Sequence, residues 1–295
     1  MKLRVVVTGA AGLIGQYAVK TAVRWAPQWE IQALTRADLD ITDHVAAEHV
    51  LQRLQPSAVI HCAALSRTKD CERDPQLARR INVDATAHLA RLCADIPFIF
   101  LSSGEVFDGR RGWYQEDDRP APINVYGKTK AEAEQAVLEN SRHTVIRIVL
   151  TAGTSRKGDR SFVEDMCRMA KAGKNVTVYA DEFRCPLPAG VIARVLWELV
   201  QQDCPGLYHL GGNERLSRWE IGEALLPWYP ELNGRLIKGS SQDHWGAPRP
   251  ADLSLACQKI QRLLSFPIPG FRSWLADPIR RDSDLWDFEF SPPYS

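Results

Sequence analysis

Residues 3–26 read LRVVVTGAAGLIGQYAVKTAVRWA. The opening run is short, β-branched and apolar, which predicts a buried strand. Residues 12–26 then carry apolar side chains at helical spacing. Between them stand Gly9, Gly12 and Gly15. Glycine is needed where a backbone turns sharply or must approach a pyrophosphate, and a helix N-terminus offers free N–H groups and the positive end of its dipole. The G-x-x-G-x-x-G spacing is one residue longer in its first gap than the commoner dinucleotide fingerprint. Alone, the loop could be a tight strand–helix turn with no ligand. At the first β–α junction of an alternating chain, the ligand reading is the better one.

The chain does alternate. Strands are predicted at 30–35, 57–64, 97–103 and 143–149, and helices at 43–54, 75–95 and 124–140. Such alternation argues for a doubly wound α/β fold, a parallel sheet covered on both faces. Residues 1–150 form the expected dinucleotide-binding domain. Residues 151–295 form a smaller substrate lobe, from which about 186–212 (a helix at 188–202 and a strand at 206–212) return to the sheet.

Composition excludes several alternatives. The 295 residues carry a formal net charge of +1, so there is no electrostatic case for nucleic acid or an anionic membrane. No apolar run is long enough to span a bilayer, and the N-terminal stretch is interrupted by glycines with no convincing signal-cleavage site after it. The seven cysteines are scattered, with neither a C-x-x-C pair nor zinc-ligand spacing. Reduced thiols in a cytoplasmic protein, without a metal site, are the expectation.

Two further places carry chemistry. A dinucleotide site for NAD usually ends its second strand in an acid that binds the ribose 2′-hydroxyl. Here the strand ends ALTR (33–36), and the Arg36 guanidinium suits a 2′-phosphate; a solvated arginine is the plain alternative, and Asp38 and Asp40 lie close by. The fourth strand ends at Ser102 and Ser103, and the next helix opens VYGKTK (125–130). There Tyr126 and Lys130 share a face at i and i+4. Shifting a phenol from about 10 to near 7 requires ~4 kcal/mol, whereas an exposed pair supplies about 0–1 kcal/mol. The pair therefore has to lie in a desolvated cleft to act.

Together the glycine loop, HCAA (61–64), Ser103 and Y-x-x-x-K at 126–130 resemble the extended short-chain dehydrogenase/reductases. Within them, TRADLDITD (35–43), VFDG (106–109), EDD (116–118), NVYGKTK (124–130) and Arg249-Pro250 are most similar to the dTDP-4-dehydrorhamnose reductases. A non-catalytic relative, the regulatory subunit of methionine adenosyltransferase, shares several of these, including a stretch like NVDAT (82–86). Two features depart from the reductase pattern: Gly104 follows Ser103 where an acid is usual, and RIVLT (147–151) lacks an aromatic.

The resemblance implies a catalytic trio. Tyr126 is the general acid, Ser103 holds the substrate oxygen, and Lys130 lowers the phenol's pKa and binds the nicotinamide ribose. It implies a cofactor site made of Gly9, Ala11, Gly12, Leu13, Ile14, Arg36, Asp40, Ile41, Cys62, Ala63, Ala64, Tyr126 and Lys130, with NADP(H) favoured over NAD(H). Substrate contacts are expected from Leu65, Ser66, Arg67, Gly104, Glu105 and Arg249. The implied activity is NADP(H)-dependent reduction of a 4-keto nucleotide sugar, with self-association, if any, as a homodimer. Two alternatives stand beside it: a nucleotide-sugar epimerase, dehydratase or decarboxylase with retained NAD, where Glu105 would be the catalytic acid, and a non-catalytic NADP-binding regulatory subunit.

Overall fold

The computed structural model describes residues 3–277; the last part of the 151–295 segment lies outside them. The N-terminal half runs β1 (Arg4–Thr8), α1 (Leu13–Trp25), β2 (Glu30–Leu34), α2 (His44–Leu54), β3 (Ala58–His61), α3 (Thr68–Arg73), α4 (Pro75–Arg79), α5 (Ala85–Leu92), β4 (Phe98–Ser103), α6 (Val125–Leu138) and β5 (Thr144–Ile148). After it come β6 (Thr151–Ala152), α7 (Phe162–Lys171), β7 (Val176–Tyr179), β8 (Phe183–Arg184), β9 (Leu187–Pro188), α8 (Ala189–Gln202) and β10 (Gly206–Leu210). The chain closes with β11 (Leu216–Ser217), α9 (Arg218–Leu225), β12 (Leu236–Gly239), α10 (Gln258–Gln261) and α11 (Phe271–Ala276).

Six strands make one sheet in the order β10-β5-β4-β3-β1-β2, every pair parallel. The fold is therefore the α/β parallel sheet anticipated above. Its strands are apolar on both sides because both faces are covered. Val5, Val7, Ile60, Ile99, Leu101 and Ile146 pack into one core with α1 and α8. Val6, Val59, Phe98, Phe100 and Val145 pack into the other, against α2, α5 and α6. The buried Trp197 of α8 donates its Nε1–H to the Ala18 carbonyl of α1 at 2.9 Å, which fastens the two helices of the first layer. The remaining strands form three two-stranded pairs.

The helix expected over 75–95 runs from Pro75 to Leu92, but not as one regular α-helix. A π turn, Arg80–Asp84, separates α4 from α5. Single π turns inside helices are frequent at functional sites. Here the turn carries Asn82 inward: its Oδ1 accepts from the Leu65 N–H at 2.8 Å, and its Nδ2 donates to the Leu65 carbonyl and to Thr129 Oγ1. Thr129 in turn bonds the Tyr126 carbonyl. The extra residue in the turn thus ties the segment after β3 to the first turn of α6.

Candidate cofactor and active site

Chain order reverses across β1 and β3: β2 lies on one side of β1, and the later strands lie on the other. Ligands of open parallel sheets bind beyond the carboxyl ends of the strands at such a point. The three glycines stand there for different reasons. Gly9 has φ +66°, and a Cβ on it would lie 2.6 Å from the Ala63 nitrogen. A Cβ on Gly15 would lie 2.3 Å from the Gly9 carbonyl oxygen. Both are demanded by the chain's own packing. Gly12, the N-cap of α1, is different: a Cβ there meets only the Gly9 oxygen, at 3.1 Å. That open space above a helix N-terminus is where a pyrophosphate fits. Gly12→Val is accordingly expected to keep the fold, checked by circular dichroism, and to abolish NADPH binding in a titration. Undiminished binding would show that the loop is only a turn.

The second strand ends at Leu34 with no acid at its tip, and the two acids that follow are tied into their own turns. Asp38 accepts from the Thr35 N–H and hydroxyl, and Asp40 from the Thr42 N–H and hydroxyl. These bonds hold both carboxyls below their ordinary range. Arg36 is 85% exposed and makes one long contact, 3.8 Å, to Asp40. Ile41 is buried in the core under this turn. Across the crevice, Cys62, Ala63 and Ala64 form a half-buried floor of small side chains. Burial pushes the Cys62 thiol up to about 12, so it remains neutral. His61 below it is bracketed by the Thr8 and Thr86 hydroxyls, and burial lowers it to about 3.

Strand β4 delivers Ser103 to the same end of the sheet, and α6 begins beside it. Asn124 caps α6 by accepting from the Gly127 N–H, and its Nδ2 donates to Glu105 Oε2 at 2.7 Å. Glu72 accepts from the Val125 N–H. Gly127, an odd residue in a helix of strong formers, has a steric cause: a Cβ there would stand 2.0 Å from the Glu105 carbonyl oxygen. The turn after β4 therefore sits directly on the first turn of α6, and this contact brings Ser103 to Tyr126. The Ser103 Oγ accepts from the Glu105 N–H at 3.1 Å, which leaves its own proton free to donate.

The phenol of Tyr126 is pushed above its ordinary range by burial first and the Glu105 charge second, while a hydrogen bond from Ser103 acts in the opposite direction. Lys130 stands one helical turn further along α6. Its ammonium, 1% exposed, donates to the Leu101 carbonyl at 2.6 Å and lies 3.9 Å from the centre of the Phe100 ring. Burial brings its pKa down to about 7, countered chiefly by the charge of Glu134. Glu134 is buried; it accepts from the Ser102 hydroxyl, and Arg147 Nε and Nη2 donate to it at 2.7–3.1 Å. Arg147 also reaches His209 Nε2 at 3.3 Å, and the other ring nitrogen of His209 donates to the Tyr114 carbonyl. Burial holds His209 neutral, at about 3, which leaves Nε2 free to accept.

The two departures noted in the sequence touch each other in the fold: a Cβ on Gly104 would lie 2.9 Å from Val149 Cγ1, within the 147–151 stretch.

Beyond Glu105 and Asn124 opens a cavity of about 600 Å³, whose wall also includes Arg67, Arg168, Arg184 and Arg249. Arg249 is a bidentate partner of the buried Glu182, with both bonds at 2.7 Å, and Arg184 and Arg218 share that same carboxylate. Arg67 donates to the Asp159 carbonyl. Leu65 is held by Asn82, and Ser66 is exposed. Of the residues that shape this region, Glu182 and Arg184 were not singled out from the sequence, and Asn82 and Asn124 stood there only as the first residues of NVDAT and NVYGKTK, with no role assigned. Only Asn124, three residues ahead of an N–H it caps, had a local signal.

Residues 2–283 match the family model described as the RmlD substrate binding domain. The chain belongs to the RmlD family. Its relatives include the methionine adenosyltransferase 2 subunit beta of Pongo abelii, 32% identical over 88% of this chain and 82% of that one. They also include the dTDP-4-dehydrorhamnose reductase of Sinorhizobium fredii, 31% identical over 91% and 94%. The structure superimposes on the dTDP-4-dehydrorhamnose reductase of Bacillus anthracis in complex with NADP, with a TM-score of 0.84 and 26% identity over 94% of this chain and 98% of that one. The UDP-glucose 4-epimerase of Thermus thermophilus, complexed with NAD, shares the fold at a TM-score of 0.77 and 20% identity over 92% and 96%. RmlD-family membership places the chain in the extended short-chain dehydrogenase/reductase superfamily. Among the described residues no helix is long and apolar enough to cross a membrane, and no group of three or more His, Cys, Asp or Glu could hold a metal ion.

Proposed function

We propose that this protein is an NADP(H)-dependent reductase of a 4-keto nucleotide sugar. The observation that carries the reading is the placement of Ser103 and Tyr126 at the switch-point end of the sheet. Glu105 and Asn124 beside them open into a large cavity rich in guanidinium groups. The residues present fit a nicotinamide dinucleotide. Gly9, Ala11, Gly12, Leu13 and Ile14 would hold its pyrophosphate. Arg36, Asp40 and Ile41 would flank the adenosine, Cys62, Ala63 and Ala64 would lie beneath it, and Tyr126 and Lys130 would bind the nicotinamide ribose. Bound in its reduced form, such a cofactor supplies a hydride.

The chain's own groups do the rest. Tyr126 gives its proton to the ketone oxygen. Ser103 donates a hydrogen bond to that oxygen and stabilises its developing charge. A phenol shifted upward stays protonated at neutral pH, which is the state a reduction requires of it. The cavity's guanidinium groups suit the sugar's diphosphate. Turnover is tested by oxidation of NADPH with dTDP- and UDP-linked 4-keto sugars, and mass spectrometry of the protein as purified shows which cofactor it retains. A protein inert toward all of them that still binds NADPH tightly would instead be a regulatory subunit, a second reading that the methionine adenosyltransferase relatives at 30–32% identity keep beside the first and do not raise above it. Retained NAD with epimerisation would move the assignment to the third, in which the Glu105 carboxyl, held by Asn124, is the acid.

Arg36 supports NADP over NAD, because both acids near the strand tip are engaged in their own turns. NADPH is expected to bind more tightly than NADH in calorimetric titration. Arg36→Ala should remove about tenfold of that difference, the worth of one charge-assisted bond. Equal or tighter binding of NADH to the wild type would overturn the preference.

A further inference from the structure

Trp245 is 95% exposed, more than any other large apolar side chain among the described residues, and it stands on the wall of the cavity rather than on a remote surface. Its segment is fastened on both sides. Before it, Ser240 and Ser241 bind Asp181, and His244 Nδ1 lies 3.1 Å from the Tyr179 hydroxyl. After it, the Pro248 carbonyl accepts from Asn124, and Arg249 grips Glu182. Between these anchors Gly246 has φ +147°, a conformation that L side chains rarely adopt. The indole is thus presented to water on a short bridge between two fixed points, one of which is bonded to the cap of the helix that carries Tyr126.

An indole offers a flat, polarisable face and only one donor. Among the described residues nothing covers this one. Around it the cavity carries guanidinium groups that suit a diphosphate. A flat apolar face beside a wall that carries guanidinium groups matches a nucleoside diphosphate, with a base at one end and phosphates at the other. We propose that Trp245 is the stacking platform for the base of the nucleotide carried by the substrate, and that this residue, rather than the guanidinium groups, distinguishes a nucleotide from a bare diphosphate. The inference rests on the nucleotide-sugar reading of the cavity.

The test uses the full chain saturated with NADP⁺, titrated calorimetrically with dTDP, with UDP and with inorganic pyrophosphate. Base–aromatic stacking is worth about 1–3 kcal/mol on alanine substitution, or about 5- to 150-fold in affinity. Trp245→Ala should weaken dTDP or UDP binding by that factor and leave pyrophosphate binding unchanged. Trp245→Phe should retain most of the affinity, and the wild-type indole fluorescence should be quenched by the nucleotides and not by pyrophosphate. Trp245→Ala binding the nucleotides as the wild type does, or losing pyrophosphate equally, would overturn the platform and leave the reductase reading standing. A wild type that binds neither nucleotide would sink the nucleotide-sugar reading itself, and the platform with it.

Discussion

Tyr126→Phe lowers the turnover of a 4-keto nucleotide sugar by about 10²–10⁴-fold, the usual contribution of general acid catalysis. The change removes one hydroxyl and almost no volume. Gly127 and the Glu105 carbonyl, which set the helix against the turn after β4, are untouched by it. Folding and NADPH affinity should therefore survive, and the loss should fall on kcat. The measurement is NADPH oxidation by wild type and variant with dTDP- and UDP-linked 4-keto sugars, beside a titration of NADPH into each. Activity that persists in the variant would defeat the mechanism whatever the substrate. A regulatory subunit would show no turnover to lose, and its partner binding would not respond to the missing hydroxyl.

The second large effect is on stability. Glu134 and Arg147 are each 3% exposed and form a bidentate pair between α6 and β5. Removing one member of a buried pair leaves an uncompensated charge and typically destabilises by about 3–5 kcal/mol. Glu134→Ala would leave the Arg147 guanidinium with the His209 ring, the Glu116 carbonyl and the Phe107 face, all neutral. It would also strip Ser102 of its acceptor and Lys130 of the charge that counters its burial. The midpoint of thermal unfolding should fall by on the order of 10 °C. Replacing both charges by apolar residues, as in Glu134→Leu with Arg147→Met, should recover much of that loss. A single variant as stable as wild type would mean that water reaches the pair.

The sheet was legible because its strands are continuous apolar runs and its helices carry strong periodicity. Ser103, Tyr126 and Lys130 could be named because each stands at a strand end or helix start that local pattern locates. What escaped the sequence was set by distant contacts. The π turn between α4 and α5 places Asn82 against Leu65 and Thr129, and nothing local in RINVD announces it. The purpose of Gly127 depends on a carbonyl 22 positions earlier in the chain. The i, i+4 spacing put Lys130 beside Tyr126 on a helix face, but that its ammonium also meets Leu101 and Phe100, one strand away, depends on the sheet and could not be read from the spacing. The two-residue strands of the C-terminal half are too short to carry any alternation.

Strand β10 has a consequence for how the protein is made. It covers the outer edge of β5 along its whole length, Gly206 beside Thr144 through Leu210 beside Ile148, and α8 just before it covers α1. A ribosome delivers these pieces late. From the emergence of Ile148 until that of Leu210, the nascent chain carries an unpaired strand edge and a bare apolar helix, the two surfaces most prone to wrong pairing with other chains. The glycine loop is synthesised before all of these pieces, yet the layer behind it is finished only when the chain has come back to it.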